Sequence, residues 1–248
     1  MKTFRLIRSG PSSASYNMAL DEKIFTRYID ERIPVFRVYR WKKPSFTYGV
    51  SQNPSDDIDL AACSSDGIEA VKRITGGGVL LHNDEITYSF VCAKQDVGEP
   101  EGAFISYREI CAFLTQFYKS LGLKPSFAYS IPDFKQRSVP NRLCGASYEK
   151  YDIIINGRKI GGNAQKRARQ VIFQHGVIPC SIDWDLQRRY LKTFSGDMQF
   201  GATSLSEELA EAPDKDMLED KLIDAFASVF GVSFVEEKEA LYETVMAQ

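Results

Sequence analysis

Polar and apolar positions along the chain fall into blocks of different period. After Ser12-Ser13, Tyr16, Leu20, Ile24 and Tyr28 recur at helical spacing with Asp21 and Glu22 in an early turn, which predicts a first helix. Pro34 closes that block. Val35–Trp41 is branched and aromatic at most positions and predicts a strand, and 46–50 predicts a shorter second one. A modest helix over 58–63, ending near Gly67, precedes a strand over 69–74. That strand leads into Thr75-Gly76-Gly77-Gly78, and 79–82 and 86–92 continue the sheet. Ile110, Phe113, Leu114, Phe117 and Leu121 share one side of an amphipathic helix over 105–121, with Gly122 beyond its end.

Pro125, Pro132 and Pro140 leave 125–142 irregular. A hairpin follows: a strand over 151–155, Asn156-Gly157, and a strand over 158–161. Asn-Gly supplies the two positive-φ positions that a two-residue turn requires. Val171–Pro179 reads as another strand. From Trp184 the pattern turns helical, over 185–193, 214–230 and a last segment near 236–246. Strands come in adjacent pairs with helices between groups of them, so the fold class expected is α+β: a mixed, largely antiparallel sheet flanked by helices. Residues 1–248 contain no repeat or long linker and are expected to form a single catalytic domain, with 185–248 a mainly helical C-terminal part.

Composition narrows the setting. In 248 residues, 31 Lys+Arg against 33 Asp+Glu give a net charge of −2, and 44% of positions are apolar. This balance lacks the basic excess of a nucleic-acid binder, and no apolar run approaches the ~20 residues of a membrane span. Met1-Lys2-Thr3-Phe4-Arg5 does not open a signal peptide. No nucleic-acid or membrane partner is expected, and the expected location is cytoplasmic. Seven acids among 207–220 (Glu207, Glu208, Glu211, Asp214, Asp216, Glu219 and Asp220) against Lys215 read as a solvated face.

Three segments could carry chemistry. Gly76-Gly77-Gly78, flanked by Arg73 and His82, suits close approach of a ligand to the main chain, but lacks the Gly-Lys-Ser/Thr of a P-loop. On the hairpin, strand alternation puts Lys159 on the face opposite Arg158 and Ile160, over a pocket. Gly161-Gly162 beside it implies a close backbone approach, and the cations of 158–169 form a basic patch. Among five scattered cysteines, Cys63, Cys92, Cys111 and Cys180 fall in helices or at strand ends and read as buried and inert. Cys144 lies in a loop of small and polar residues near Arg137, Arg142 and Lys150, where cations favour a reactive thiolate. Two histidines and no Cys-x-x-C pair leave no metal site.

Together, Lys72-Arg73-Ile74-Thr75-Gly76-Gly77-Gly78 with His82, Asn156-Gly157-Arg158-Lys159-Ile160-Gly161-Gly162-Asn163-Ala164-Gln165, and Gln174-His175-Gly176 resemble the biotin/lipoate protein ligase superfamily, in its lipoate-ligase and octanoyltransferase branch. Cys144 followed by Tyr151-Asp152-Ile153 matches the nucleophile segment of one octanoyltransferase group, and Lys159 matches the lysine that lowers that cysteine's pKa. The sequence departs from the pattern at Lys72, Gly145, Ala146 and Asn163. The resemblance implies transfer of an octanoyl group from acyl carrier protein, through a thioester on Cys144, to a lysine of a lipoyl-domain protein such as glycine cleavage H protein or a 2-oxoacid dehydrogenase E2. Cys144 and Lys159 would be catalytic; Arg73, Gly76, Gly77, Gly78, His82, Gly162, Asn163, Ala164 and His175 would bind substrate; no metal or cofactor is implied. The alternatives are an ATP- and magnesium-dependent lipoate ligase in which Cys144 is incidental, a biotin-attaching enzyme, and a binding protein that has lost its chemistry.

Overall fold

The structure is a computed structural model that describes residues 2–98, 103–130, 149–196, 198–211 and 214–243. Cys144, with Arg137 and Arg142, lies outside the described residues. In chain order, β1 (Lys2–Ser12) leads into α1 (Ala14–Glu31), whose first turn is capped by the Ser13 hydroxyl accepting the Tyr16 N–H. Next come β2 (Val35–Trp41), β3 (Ser45–Tyr48), α2 (Pro54–Asp57), α3 (Leu60–Ser65), β4 (Glu69–Lys72), β5 (Leu80–His82) and β6 (Glu85–Ala93). The middle of the chain gives α4 (Ala103–Ile110), α5 (Ala112–Ser120), β7 (Ser126–Phe127), β8 (Ile153–Ile155), β9 (Arg158–Ile160), β10 (Gly162–Ala168) and β11 (Val171–Pro179). The last part holds α6 (Trp184–Tyr190), α7 (Met198–Gly201), β12 (Ala202–Thr203), α8 (Leu205–Glu208), α9 (Lys215–Phe230), β13 (Val232–Glu236) and α10 (Ala240–Glu243).

These strands form three sheets, ordered β10-β11-β6-β2-β1-β13, β12-β9-β8-β7 and β4-β3-β5, with antiparallel pairings in the majority. The fold is therefore α+β and mixed, as the paired strands implied. β2, β6 and β11 of the large sheet are buried on both faces. On one face Phe36, Tyr88 and Phe90 meet Phe113 of α5 and Phe226 of α9, with Phe36 and Phe226 ring centroids 4.4 Å apart. On the other, Leu20, Ile24 and Phe25 of α1 cover Ile7, Val35, Val91 and Phe173.

Strand register places the site. Ala164, His175, Ser89 and Arg37 are successive partners across β10, β11, β6 and β2, and Gly162, Val177, Thr87 and Tyr39 form the next row two residues along. A period of two residues puts both rows on the same face, beneath α1. The sheet itself is thus the floor of the site.

Several expectations shift in detail. The helix over 105–121 is interrupted at Cys111, although the Cys111 N–H still reaches the Tyr107 carbonyl and Thr115 N–H reaches that of Cys111. β1, β10 and β13 were not anticipated, and the segment near 236–246 is β13 followed by α10 as far as it is described. The acidic stretch is not simply solvated. Glu219 is buried and bonds Arg40 at 2.7 Å, Asp216 also pairs with Arg40, Asp220 with Arg8, and Glu207 and Glu208 with Arg158. α8 and α9 set these acids against cations of β1, β2 and β9. The same pairing breaks up the expected basic patch: Arg158 is taken by those glutamates, Lys159 is buried, and Lys166 stands 5.0 Å over the Phe25 ring.

Candidate active site

The glycine triplet connects β4 to β5 and rests on a buried arginine. Arg73 Nη2 donates to the carbonyls of Gly76 and Gly78, both at 2.7 Å, while Nε and Nη1 reach the hydroxyls of Thr75 (3.2 Å) and Thr47 (3.3 Å). Gly77 has φ +91°. Gly49, just after β3, supports the triplet from the other side: a Cβ there would come within 2.3 Å of the Gly77 carbonyl oxygen. A charged side chain inside the protein needs hydrogen-bond partners, and the loop carbonyls supply them.

From Arg73 two hydrogen-bonded arms spread over the sheet. In one, Thr75 Oγ1 lies 2.7 Å from His175 Nε2, and His175 Nδ1 lies 3.5 Å from Asp21 Oδ2. In the other, Thr47 Oγ1 lies 2.8 Å from His82 Nε2, and His82 Nδ1 lies 2.6 Å from Glu85 Oε1. Each threonine accepts from the guanidinium and shares its oxygen with a histidine Nε2, and each histidine turns its Nδ1 toward a carboxylate. Trp41 stacks on His82 with centroids 3.8 Å apart and donates its indole N–H to Thr87, which in turn donates to Glu85.

Asp21 anchors the first arm. Arg37 Nη1 donates to its Oδ1 at 2.9 Å, as does Ser89 at 2.8 Å, and the Tyr39 hydroxyl donates to Oδ2 at 2.9 Å. Burial would raise the Asp21 pKa, but the hydrogen bond from His175, the Arg37 charge and the Ser89 hydroxyl hold it below the ordinary value. Burial is the largest influence on His175 and pushes its pKa down despite Asp21; the charges of Arg73 and His82 act in the same direction.

A pH dependence follows. Between the native His175 pKa and its ordinary value of 6.5, the unfolded chain binds a proton that the folded chain does not. This contribution to stability is complete above that pH and is lost as pH falls through the native value. Unfolding midpoints measured from pH 8 down to pH 5 should fall for the native chain and fall less for His175→Gln.

Lys159 is placed by the hairpin. Asn156 and Gly157 have φ +49° and +81°, the two left-handed positions that the Asn-Gly pair predicts. Alternation along β9 buries Lys159, with its Nζ 2.8 Å from Asp152 Oδ2, and turns Arg158 to Glu207 and Glu208. Gly161 next to it has φ +71°, and a Cβ there would come within 2.1 Å of the Val177 carbonyl oxygen. Gly176 is needed for a similar reason: a Cβ would fall 2.0 Å from Asn163 Oδ1, which accepts the Tyr88 hydroxyl at 2.7 Å.

Two cavities meet here. One, of about 350 Å³ including its open mouth, has apolar walls from Met18, Tyr39, Trp41, Leu80 and Val177, with Arg73, His82 and His175 at its base and Gly162, Asn163 and Ala164 along one side. The other, of about 690 Å³ including its open mouth, holds Lys159, Gly161 and Asp84 with Leu81, Trp184 and Met198. They share Leu80, Gly162 and Val177. Apolar walls with a few converging polar groups are the usual make-up of a small-molecule site. Six of the residues singled out in the sequence thus line one cavity and Lys159 lines its neighbour; Gly76, Gly77 and Gly78 adjoin through Arg73. Burial pushes the Cys63 thiol up to about 11 and those of Cys111 and Cys180 up to about 12, and Cys92 is raised further.

A family model for the lipoyl protein ligase A/B catalytic domain matches residues 13–227. The chain belongs to this family. Among curated relatives, octanoyltransferase LipM of Kyrpidia tusciae is 32% identical over 242 residues, covering 93% of this chain and 88% of the relative. Octanoyltransferase LipM of Bacillus subtilis is 34% identical over 188 residues, covering 74% and 68%. A crystal structure of lipoate-protein ligase A bound with ATP shares the fold, with a TM-score of 0.80 at 22% identity over 100% of this chain and 95% of that one.

Within this lipoyl protein ligase A/B domain, reading the sequence motif by motif left out Asp21, Arg37, Trp41, Thr47 and Glu85. Two signals were available. Arg37 is a charge between Phe36 and Val38 in a mainly apolar strand, and Asn17 and Asp21 lie one helical turn apart on the apolar side of α1. A buried cation in a strand and a buried anion on the covering helix are natural partners.

Proposed function

We propose a route for the octanoyl transfer that this chain performs in protein lipoylation. The Cys144 thiolate attacks the thioester carbonyl of an octanoyl group on acyl carrier protein, the carrier sulfur leaves as a thiolate that takes a proton from water, and the octanoyl group stays on Cys144 as a new thioester. The amine of an acceptor lysine on a lipoyl-domain protein then attacks that carbonyl. It gives up a proton, an amide forms, and the Cys144 sulfur is released. Thioester exchange is nearly balanced in energy, whereas amide formation runs downhill and sets the direction. No nucleotide or metal enters either step, and the cytoplasm is the compartment expected.

The eight-carbon chain occupies the 350 Å³ cavity between Trp41, Leu80 and Val177. Each buried CH₂ contributes about 0.8 kcal/mol, enough to select an acyl chain over a short one. His82 and His175, fixed in orientation by their arms, shape the base of that cavity. Lys159 favours the thiolate by its charge and steadies the oxyanion that develops on the carbonyl. The neighbouring cavity, opening beside Lys159 and Gly162, gives the carrier arm and the acceptor lysine a way in.

The observation that carries this reading is a buried ammonium, Lys159, where an apolar cavity and an open one adjoin. The test is to incubate the protein with octanoyl-carrier protein and no nucleotide. Intact-mass and peptide analysis should find one octanoyl group, on Cys144, that a lipoyl domain then takes up on a lysine. Transfer that requires ATP and releases pyrophosphate would overturn it in favour of a ligase.

A further inference from the structure

The chemistry above leaves one carboxylate beside the amine without a role. Asp152 Oδ2 lies 2.8 Å from Lys159 Nζ and accepts the backbone N–H of Glu149 at 2.6 Å. The backbone of Asp152 is fixed as well: its N–H donates to the Glu149 carbonyl at 3.0 Å, and its carbonyl accepts the Ala128 N–H at 2.9 Å. The two charged side chains are only 14% and 4% exposed. Water therefore does little to screen the attraction between the two charges. One oxygen thus joins the amine on β9 to the turn at Glu149, which is five residues beyond Cys144 in the chain.

We propose that Asp152 is a positioning residue for Lys159, whose carboxylate keeps the amine protonated and aims it at the reacting carbonyl. An ammonium has three N–H donors in fixed relative directions, so fastening one to Asp152 sets the direction of the other two. The backbone bonds of Asp152 make the carboxylate a rigid reference point, and they tie its position to the stem of the segment that bears Cys144. The negative charge also offsets the cost of keeping a lysine charged inside the protein. The inference rests on the reading of Lys159 as the amine that serves octanoyl transfer.

The test uses Asp152→Asn in the full chain, because the amide keeps an oxygen for the Glu149 N–H and removes only the charge. kcat should fall about tenfold or more, within the range for losing a well-placed proton-bearing group, while KM for the octanoyl carrier stays near its native value. The alkaline limb of the pH profile of kcat/KM should move to lower pH, since an ammonium without its anion loses its proton sooner. Asp152→Glu, which keeps the charge, should restore that limb. In a Lys159→Met background, Asp152→Asn should cost nothing further, because it acts through the amine. Native kcat with an unmoved limb in Asp152→Asn, or a glutamate variant with the asparagine profile, would overturn the positioning role. Full transfer by Lys159→Met would instead overturn the assignment of the amine, so the two failures are distinct.

Discussion

Replacing Cys144 by alanine should abolish octanoyl transfer, with a loss on the order of 10⁴–10⁶-fold, the scale found when an enzyme loses its nucleophile. No other cysteine can take over. Cys63, Cys92, Cys111 and Cys180 are buried, and burial lifts their thiols to about 11 at the lowest. At pH 7 such a thiol is ionised to about one part in ten thousand, and only the thiolate attacks an acyl carbonyl. Intact mass after incubation with octanoyl-carrier protein should show no adduct on the variant. Transfer at the native rate would return Cys144 to the status of a loop residue and leave Lys159 to act on a different intermediate.

The largest loss of stability should come from Asp21→Ala. Asp21 is 1% exposed and Arg37 is fully buried, so truncating the acid takes the nearest countercharge from a guanidinium inside the protein, at a cost of about 3 kcal/mol. Asn17 and Ser9 still accept from Arg37, at 2.8 and 2.9 Å, and the Glu239 carboxylate, 3.6 Å from Nη2, offsets only part of the lost charge. His175 loses its anchor in the same step, and with it the arm that leads through Thr75 to Arg73 and the glycine triplet. Chemical denaturation should register the loss as a lower midpoint with an unchanged slope. Asp21→Leu combined with Arg37→Met should cost less than Asp21→Ala alone, because two apolar side chains remove both charges of the buried pair. A double variant less stable than the single one would mean that Arg37 acts chiefly through Asn17, Ser9 and the Tyr39 ring, which lies 4.0 Å from its guanidinium carbon.

The sequence showed most clearly what local chemistry determines. Asn156-Gly157 has few ways to turn, and Ser13 before an apolar period has few uses other than a cap; both were legible. Val171–Pro179 was found to the residue because a strand buried on both faces is apolar over most of its length. β10 was missed because Gly162–Ala168 is polar and half-buried throughout, as suits the edge of a sheet, where lysine and arginine discourage further pairing. β1 and β13 are short of signal for a related reason: their pairing is long-range, and the acids that neutralise Arg5 and Arg8 lie at Glu31, Asp220, Glu236 and Glu237.

The site divides along the same line. Arg73, His82, Lys159 and His175 could be named from motifs, but what each touches could not. The partners Thr47 and Glu85 come from β3 and β6, Asp21 from α1 and Asp152 from the turn before β8, and only the packing of these elements brings them together. Asp21 read as an ordinary acid in an early helical turn, and only the row Ala164–His175–Ser89–Arg37 beneath it shows why it is there.

β13 lies parallel to β1, with Val232 to Glu236 beside Lys2 to Leu6. Lys2–Leu6 therefore wait for residues about 230 positions further along the chain before their ladder is complete. Meanwhile Phe4 and Leu6 have no cover on the side that Phe226 and Val232 will fill. Long-range closure of this kind slows folding and prolongs exposure of a bare strand edge, so chaperone demand should peak during synthesis, before β13 emerges.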